Sequence, residues 1–212
     1  MILEGNLKVQ HFFTKAFTKA TITDARRELL TAIATKVSEE YLNSKTTINL
    51  NFICTHNSRR SQLAQVWAYY AAVYFKLPKV KSYSGGTAVT AFHRNTVKTL
   101  QNVGFQFYVQ EFNHENPKYT ISFNEEHKPL LGFSKLFDDA YNSEPFIAIT
   151  TCSSANENCP FIPNAMHRFH LPYVDPKAFD NSNKTEEAYL ETNQQIAAEI
   201  HFLFKEIKKT LG

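Results

Sequence analysis

Apolar residues recur along this chain with two periods that alternate. Leu29, Leu30, Ile33 and Val37 fall on one helical stripe, and Thr23 and Asp24 ahead of them are cap-forming types, so the spacing predicts a helix from about Ala25 to Tyr41. The first 45 residues are therefore expected to form a helical extension. From Ile48 to Ile53 the pattern is that of a buried strand, from Ser61 to Phe75 a helix, from Val80 to Tyr83 a second strand, and from Asn95 to Val103 a second helix stopped by Gly104. Strand and helix in that alternation predict a parallel sheet flanked by helices. Phe105 to Val109 and Phe146 to Thr151 are further strands, the second apolar enough to be central. Between them, Tyr119 to Phe123 and Leu130 to Leu136, separated by the polar turn Asn124-Glu125-Glu126-His127, predict an inserted hairpin in a region of about residues 110–145. A last helix is expected from about Glu186 to Lys208, burying Ile196, Ile200, Leu203 and Ile207. The expected organisation is an extension over 1–45 and one catalytic domain over 46–212.

Composition narrows the classes of function. With 212 residues of which 43% are hydrophobic, the chain can fill one substantial core. The net charge of +3 is spread over the whole length, with no basic run for nucleic acid or membrane lipid. Three cysteines without a CxxC pair fit a reducing compartment, and no apolar run has the length of a signal peptide or a membrane span. A soluble, cytoplasmic protein is expected.

Chemistry concentrates where the first strand meets its helix. Cys54-Thr55-His56-Asn57-Ser58-Arg59-Arg60-Ser61 places a cysteine six residues before an arginine at a helix N-terminus. Backbone N–H groups there lack intrahelical partners and the helix dipole adds positive charge, so the loop can hold a tetrahedral oxyanion. Arg60 supplies a planar fork for two of its oxygens, and the same field favours Cys54 as a nucleophilic thiolate. Ser61 can donate a hydrogen bond to the sulfur. The cysteine-to-arginine spacing alone is a weak signal; its strand-loop-helix setting and the polar residues between make an inert buried cysteine a poor account. With no glycine or lysine in the segment, a Walker-type phosphate loop is excluded.

These residues, with Ser-Gly-Gly-Thr at 84 to 87 and Asp175-Pro176, resemble the low-molecular-weight protein tyrosine phosphatase superfamily, closest to its thioredoxin-coupled arsenate reductases. The resemblance runs from about Ile48 to Lys208, apart from the insertion. It implies a central four-stranded parallel sheet flanked by helices, Cys54 as nucleophile, Arg60 as transition-state partner, Asn57 as the residue that shapes the loop and Asp175 as general acid. An acid is needed on chemical grounds as well, since neither an alkoxide nor a hydroxide leaves readily without a proton. Asp180 competes with Asp175 for that role.

Cys152 and Cys159 distinguish two branches of the superfamily. In the reductases, two cysteines at this spacing form a relay: Cys152 would resolve the Cys54 adduct, and Cys159 would pass the oxidising equivalents to thioredoxin. A metal site built from these cysteines with His167 or His170 is not expected. Those histidines, three apart in a strand, face opposite sides. Gln65 stands where potassium-binding reductases carry glutamate, so no ion site is expected, and no cofactor is needed. Arsenate reductase is the leading reading. The alternative is a phosphatase for phosphotyrosine or small phosphate esters, and the third reading is an oxyanion-binding module without turnover.

Overall fold

The computed structural model describes residues 2–158 and 161–212. Two helices open the chain, α1 (Ile2–Lys19) and α2 (Asp24–Asn43). Thr23 caps α2, its hydroxyl accepting from the Arg26 N–H at 3.4 Å. The body then alternates β1 (Ile48–Cys54), α3 (Arg60–Tyr74), β2 (Val80–Gly86) and α4 (Arg94–Asn102). Strands β3 (Gln106–Glu111), β4 (Lys118–Ser122) and β5 (Leu130–Gly132) follow, then β6 (Phe146–Thr150), the short α5 (Ser153–Asn158), β7 (Ala165–His170), a single 3-10 turn (Pro176–Phe179) and the long α6 (Thr185–Leu211).

Four strands form the parallel sheet in the order β2-β1-β6-β7. Every residue of β1 and β6 is buried, as expected of central strands covered on both faces. Helix α3 packs on β1 and β2, and α6 packs against α1, α2, α3 and α4. Trp67 lies at the centre of these helices. It is fully buried, its ring stacks on Phe12 and Phe13 at 5.5 and 5.4 Å, and its indole N–H donates to Asn193 Oδ1 at 2.7 Å. Val9, Phe13 and Ala16 of α1 recur at spacings of four and three and join the same buried cluster as Leu50, Trp67 and Ile200. The partly buried ion pair of Arg26 with Glu199 ties α2 to α6.

The insertion differs from the expected hairpin in two ways. Strand β3 pairs antiparallel with β4, Phe107 opposite Ile121, so the unit is a separate three-stranded sheet in the order β3-β4-β5. Phe107 packs edge-on to Phe92 and Tyr119, an anchor that a strand-length pattern alone does not show. Second, β5 ends at Gly132 instead of continuing to Leu136. Residues 134–137 turn away to run along the outer edge of β2, where Gly86 N–H donates to the Lys135 carbonyl at 2.8 Å and Phe137 N–H to the Gly86 carbonyl at 3.1 Å. Both glycines of this crossing are required: a Cβ on Gly85 would lie 2.2 Å from Phe137 Cα, and one on Gly86 would lie 2.8 Å from the Thr55 carbonyl oxygen.

This crossing buries Lys135, whose ammonium lies over the rings of Phe133 and Tyr141 at 4.6 and 5.4 Å and has no hydrogen-bond partner among the described residues. Burial pulls its pKa down to about 7, with Asp139 acting the other way. Below that value the folded protein carries a poorly solvated cation. Between about 7 and the ordinary lysine value, the unfolded chain binds the extra proton, so this group makes stability rise with pH. Denaturant titrations of wild type and Lys135→Met at pH 6 to 10 should show a difference that shifts by a few kcal/mol in favour of wild type as pH rises, at about 1.4 kcal/mol per pKa unit. Parallel curves would mean that Lys135 is solvated in the native state.

Candidate active site

The loop from Cys54 to Arg60 is shaped by its carbonyl groups. The Cys54 carbonyl accepts from Thr87 N–H at 3.2 Å, that of Thr55 from Ala88 N–H at 2.8 Å, and that of Ser58 from His93 N–H at 3.1 Å. The His56 carbonyl accepts from the hydroxyls of Thr90 and Ser134 at 3.1 and 2.9 Å, the Asn57 carbonyl from Gln62 Nε2 at 3.0 Å, and the Arg59 carbonyl from Leu63 N–H at 2.9 Å. The carbonyls of Cys54 to Ser58 are thus each held by neighbouring segments, while that of Arg59 accepts the first hydrogen bond of α3. The N–H groups of Thr55 to Arg59 have no partner among the described residues. A peptide unit whose oxygen points out directs its N–H the other way, so the loop is a nest of donors at the start of α3.

Asn57 provides the bend. It has φ 46°, a conformation in which asparagine is one of the few tolerated side chains, and it is fully buried. Its Oδ1 accepts from Lys135 N–H at 3.0 Å and Gln62 Nε2 at 3.2 Å, while its Nδ2 donates to Ser61 Oγ at 2.9 Å. Ser61 Oγ, already accepting from Asn57, lies 3.0 Å from Cys54 Sγ, leaving the hydroxyl proton for the sulfur. Cys54 itself is 4% exposed at the end of a buried strand. His56 turns its side chain to solvent and lines a cleft of about 240 Å³ on the outer face of the loop with Ser58, Arg59, Thr90, His93 and Lys177.

The two arginines go different ways from α3. Arg60 Nη2 donates to Asp175 Oδ2 at 2.6 Å and Nη1 to the Tyr173 carbonyl at 3.0 Å, so Asp175 is brought to the loop. Asp175 also caps the 3-10 turn, its Oδ1 accepting from Lys177 N–H at 3.0 Å. Arg59 belongs to the loop by its backbone, yet its guanidinium donates to Asp180 Oδ2 and to the Tyr189 hydroxyl, both at 2.6 Å. Asp180 also receives Tyr189 OH at 2.8 Å and Asn95 Nδ2 at 3.3 Å. Partial burial works against its ionisation, but the Tyr189 hydroxyl and the Arg59 charge together hold its carboxyl below the usual range. Both aspartates are thus engaged, Asp175 by Arg60 and Lys177 N–H, and Asp180 by Arg59, Tyr189 and Asn95.

Cys152 follows β6 and lies beside the loop, its Sγ 3.5 Å from Thr55 Oγ1 and accepting from Ala155 N–H at 3.4 Å. Both Cys54 and Cys152 are free thiols in one small apolar cluster with Ile53, Phe146, Ala148 and Ala155. Cys159 lies outside the described residues. His167 pairs with Glu40 and His170 with Thr150, and no metal-binding cluster occurs among the described residues. Gln65 is spent on the strand edge, its Nε2 donating to the Ser82 carbonyl at 3.4 Å and its Oε1 accepting from Ser84. Nothing in the sequence marks Ser134, Lys135, Tyr173, His93 or Tyr189 as parts of this site, because each arrives from a distant segment. The one available signal was the Ser-Gly-Gly stretch, since paired glycines mark a close backbone approach.

No family model matches the chain. It is similar to the arsenate reductase of Bacillus subtilis, 26% identical over 159 residues that make up 75% of this chain and 94% of that protein. It is also similar to arsenate reductase 2 of Staphylococcus epidermidis, 26% identical over 125 residues, or 59% and 76% of the two chains. Its fold matches the crystal structure of a YwlE mutant from Bacillus subtilis with a TM-score of 0.53 at 16% identity, over 76% of this chain and 99% of that one. A low-molecular-weight protein tyrosine phosphatase from T. tengcongensis matches with a TM-score of 0.51 at 15% identity, over 75% and 99%. No helix among the described residues is long and apolar enough to cross a membrane. With its four-stranded parallel sheet, the chain has the fold of the low-molecular-weight protein tyrosine phosphatases, and in sequence it is similar to the arsenate reductases.

Proposed function

We propose that this protein is an arsenate reductase that uses Cys54 as nucleophile and Cys152 and Cys159 as a disulfide relay, with thioredoxin as its reductant. The observation that carries the oxyanion chemistry is the run of N–H groups from Thr55 to Arg59 without partners among the described residues, followed by Arg60, whose guanidinium lies on Asp175. The observation that favours reduction is the Cys152 thiol beside Thr55, one residue along the chain from the nucleophile. Cys54 sulfur attacks arsenic, and Asp175 protonates the departing oxygen, which leaves as water. Cys152 thiolate then attacks the Cys54 sulfur; the S–S bond forms as the S–As bond breaks, and its electron pair stays on arsenic, giving arsenite. Cys159 next attacks Cys152, freeing Cys54 and moving the disulfide to the Cys152–Cys159 pair, which a thioredoxin-type dithiol reduces.

A second reading is favoured by Asp175 lying on Arg60, because nucleophile, arginine and acid suffice for phosphate ester hydrolysis with water resolving a cysteinyl phosphate. The two readings share their first step and part at the downstream thiols. Cys152→Ser and Cys159→Ser should each abolish thioredoxin-coupled arsenite formation while leaving aryl phosphate hydrolysis within a few-fold, roughly, of wild type. In a single turnover Cys159→Ser should release arsenite and accumulate a Cys54–Cys152 disulfide, read by mass spectrometry. Brisk hydrolysis with no arsenite from wild type would leave the phosphatase reading in possession.

The acid is tested separately with aryl phosphates of graded leaving-group pKa. Asp175→Asn should steepen the dependence and slow the poorest leaving groups by about 10²–10⁴. A loss of that size from Asp180→Asn, with Asp175→Asn left near wild type, would show that the acid is misassigned.

A further inference from the structure

Adjacent arginines at the start of α3 hold opposite ends of the same downstream segment. Arg60 takes the Tyr173 carbonyl and Asp175 at its front, and Arg59 takes Asp180 at its back. Between them, Pro176–Phe179 is a single 3-10 turn closed at both ends, by Lys177 N–H on Asp175 Oδ1 at 3.0 Å and by Asp180 N–H on the Lys177 carbonyl at 3.0 Å. A unit so short and so closed moves as one piece. Where Asp180 is placed therefore bears on where Asp175 sits.

The back end is the more firmly held. The side chains of Arg59 and Asp180 are 11% and 19% exposed, against 34% for Asp175. Tyr189 from α6 bridges the ion pair, its hydroxyl accepting from Arg59 and donating to Asp180, while Asn95 from α4 adds a second donor. His93, whose N–H also holds the Ser58 carbonyl of the loop, stacks on the Tyr189 ring at 5.7 Å, with its Nδ1 3.0 Å from that hydroxyl. The anion loop, α4, α6 and the acid's segment thus meet at one guanidinium that does not face the oxyanion. When an oxyanion enters and draws on Arg60, the front tie is the one in competition. The back tie is not.

We propose that Arg59, braced by Asp180 and Tyr189, is a positioning residue that fixes the acid-bearing segment while Arg60 turns to the substrate. The proposal rests on the reading of Asp175 as general acid and goes beyond it in assigning the device that places it. It predicts a defect of a particular kind. Loss of the brace leaves the nucleophile and Arg60 in place, and misplaces only the proton donor.

The test uses the full chain and aryl phosphates from good to poor leaving groups, with kcat and KM measured for each. Arg59→Ala should lower kcat on the poorest leaving groups by about 10- to 100-fold and on the best by less than about 3-fold, since only the former depend on the acid. Tyr189→Phe, which removes one hydroxyl, should show the same slope change in milder form and serves if Arg59→Ala does not fold. In an Asp175→Asn background, Arg59→Ala should add little, because the group it positions is already gone. A uniform loss across the series, or a full additional loss in the Asp175→Asn background, would overturn the proposal and leave Arg59 a merely structural pair. Absence of Cys54-dependent turnover in wild type would instead remove the enzymatic reading, and this proposal with it.

Discussion

The structure around Cys54 depends on one constraint: the five consecutive carbonyl groups of Cys54 to Ser58 must be held outward so that the N–H groups between them face the sulfur. A loop left to itself has no reason to adopt that shape, because converging donors repel one another and lose water. It is imposed here from outside. The Ser84–Thr90 stretch, His93, Ser134 and Gln62 each take a carbonyl or support a neighbour that does, and Asn57 accepts a left-handed bend in return for three side-chain hydrogen bonds. An oxyanion completes such a loop by supplying the acceptor that the protein withholds.

The insertion is thereby part of the site. Its first strands form an independent sheet, but residues 134–137 return to lie against β2, and the Ser134 hydroxyl and Lys135 N–H hold two successive loop residues. The same close crossing explains both the glycine pair at 85 and 86 and the burial of the Lys135 ammonium. On the other side, α6 reaches the loop through Tyr189 and Arg59, and its inner face carries α1 and α2. Shaping the anion loop and packing the helices are consequently joined through α6.

What the sequence revealed was what short-range pattern encodes. The apolar run before Cys54, the helix after Arg60 and the stripe Leu29–Val37 follow from periodicity and end signals, and the cysteine-to-arginine spacing marks the chemistry because both residues lie on one loop. The pairing of β3 with β4, the departure of residues 134–137 from β5 and the tie of Arg59 to Asp180 were not legible, since each depends on a partner that sequence does not place. Arg59 is the clearest instance. Read along the chain it is a second charge beside the anion loop; folded, its charge belongs to Asp180, 121 residues away. Asp180 competed with Asp175 for the acid's role for the same reason; folded, Asp175 lies on Arg60 and Asp180 on Arg59.

The central claim is that the loop holds an oxyanion against Cys54. It is tested most directly by the rate at which iodoacetamide alkylates Cys54, followed by peptide mass spectrometry, as arsenate is raised. The account predicts that alkylation of Cys54 falls along a saturating curve toward zero in wild type, and that the protection weakens at least about tenfold in Arg60→Ala, since a bidentate charge-assisted contact is lost. Alkylation of Cys54 that is indifferent to arsenate in wild type would contradict it.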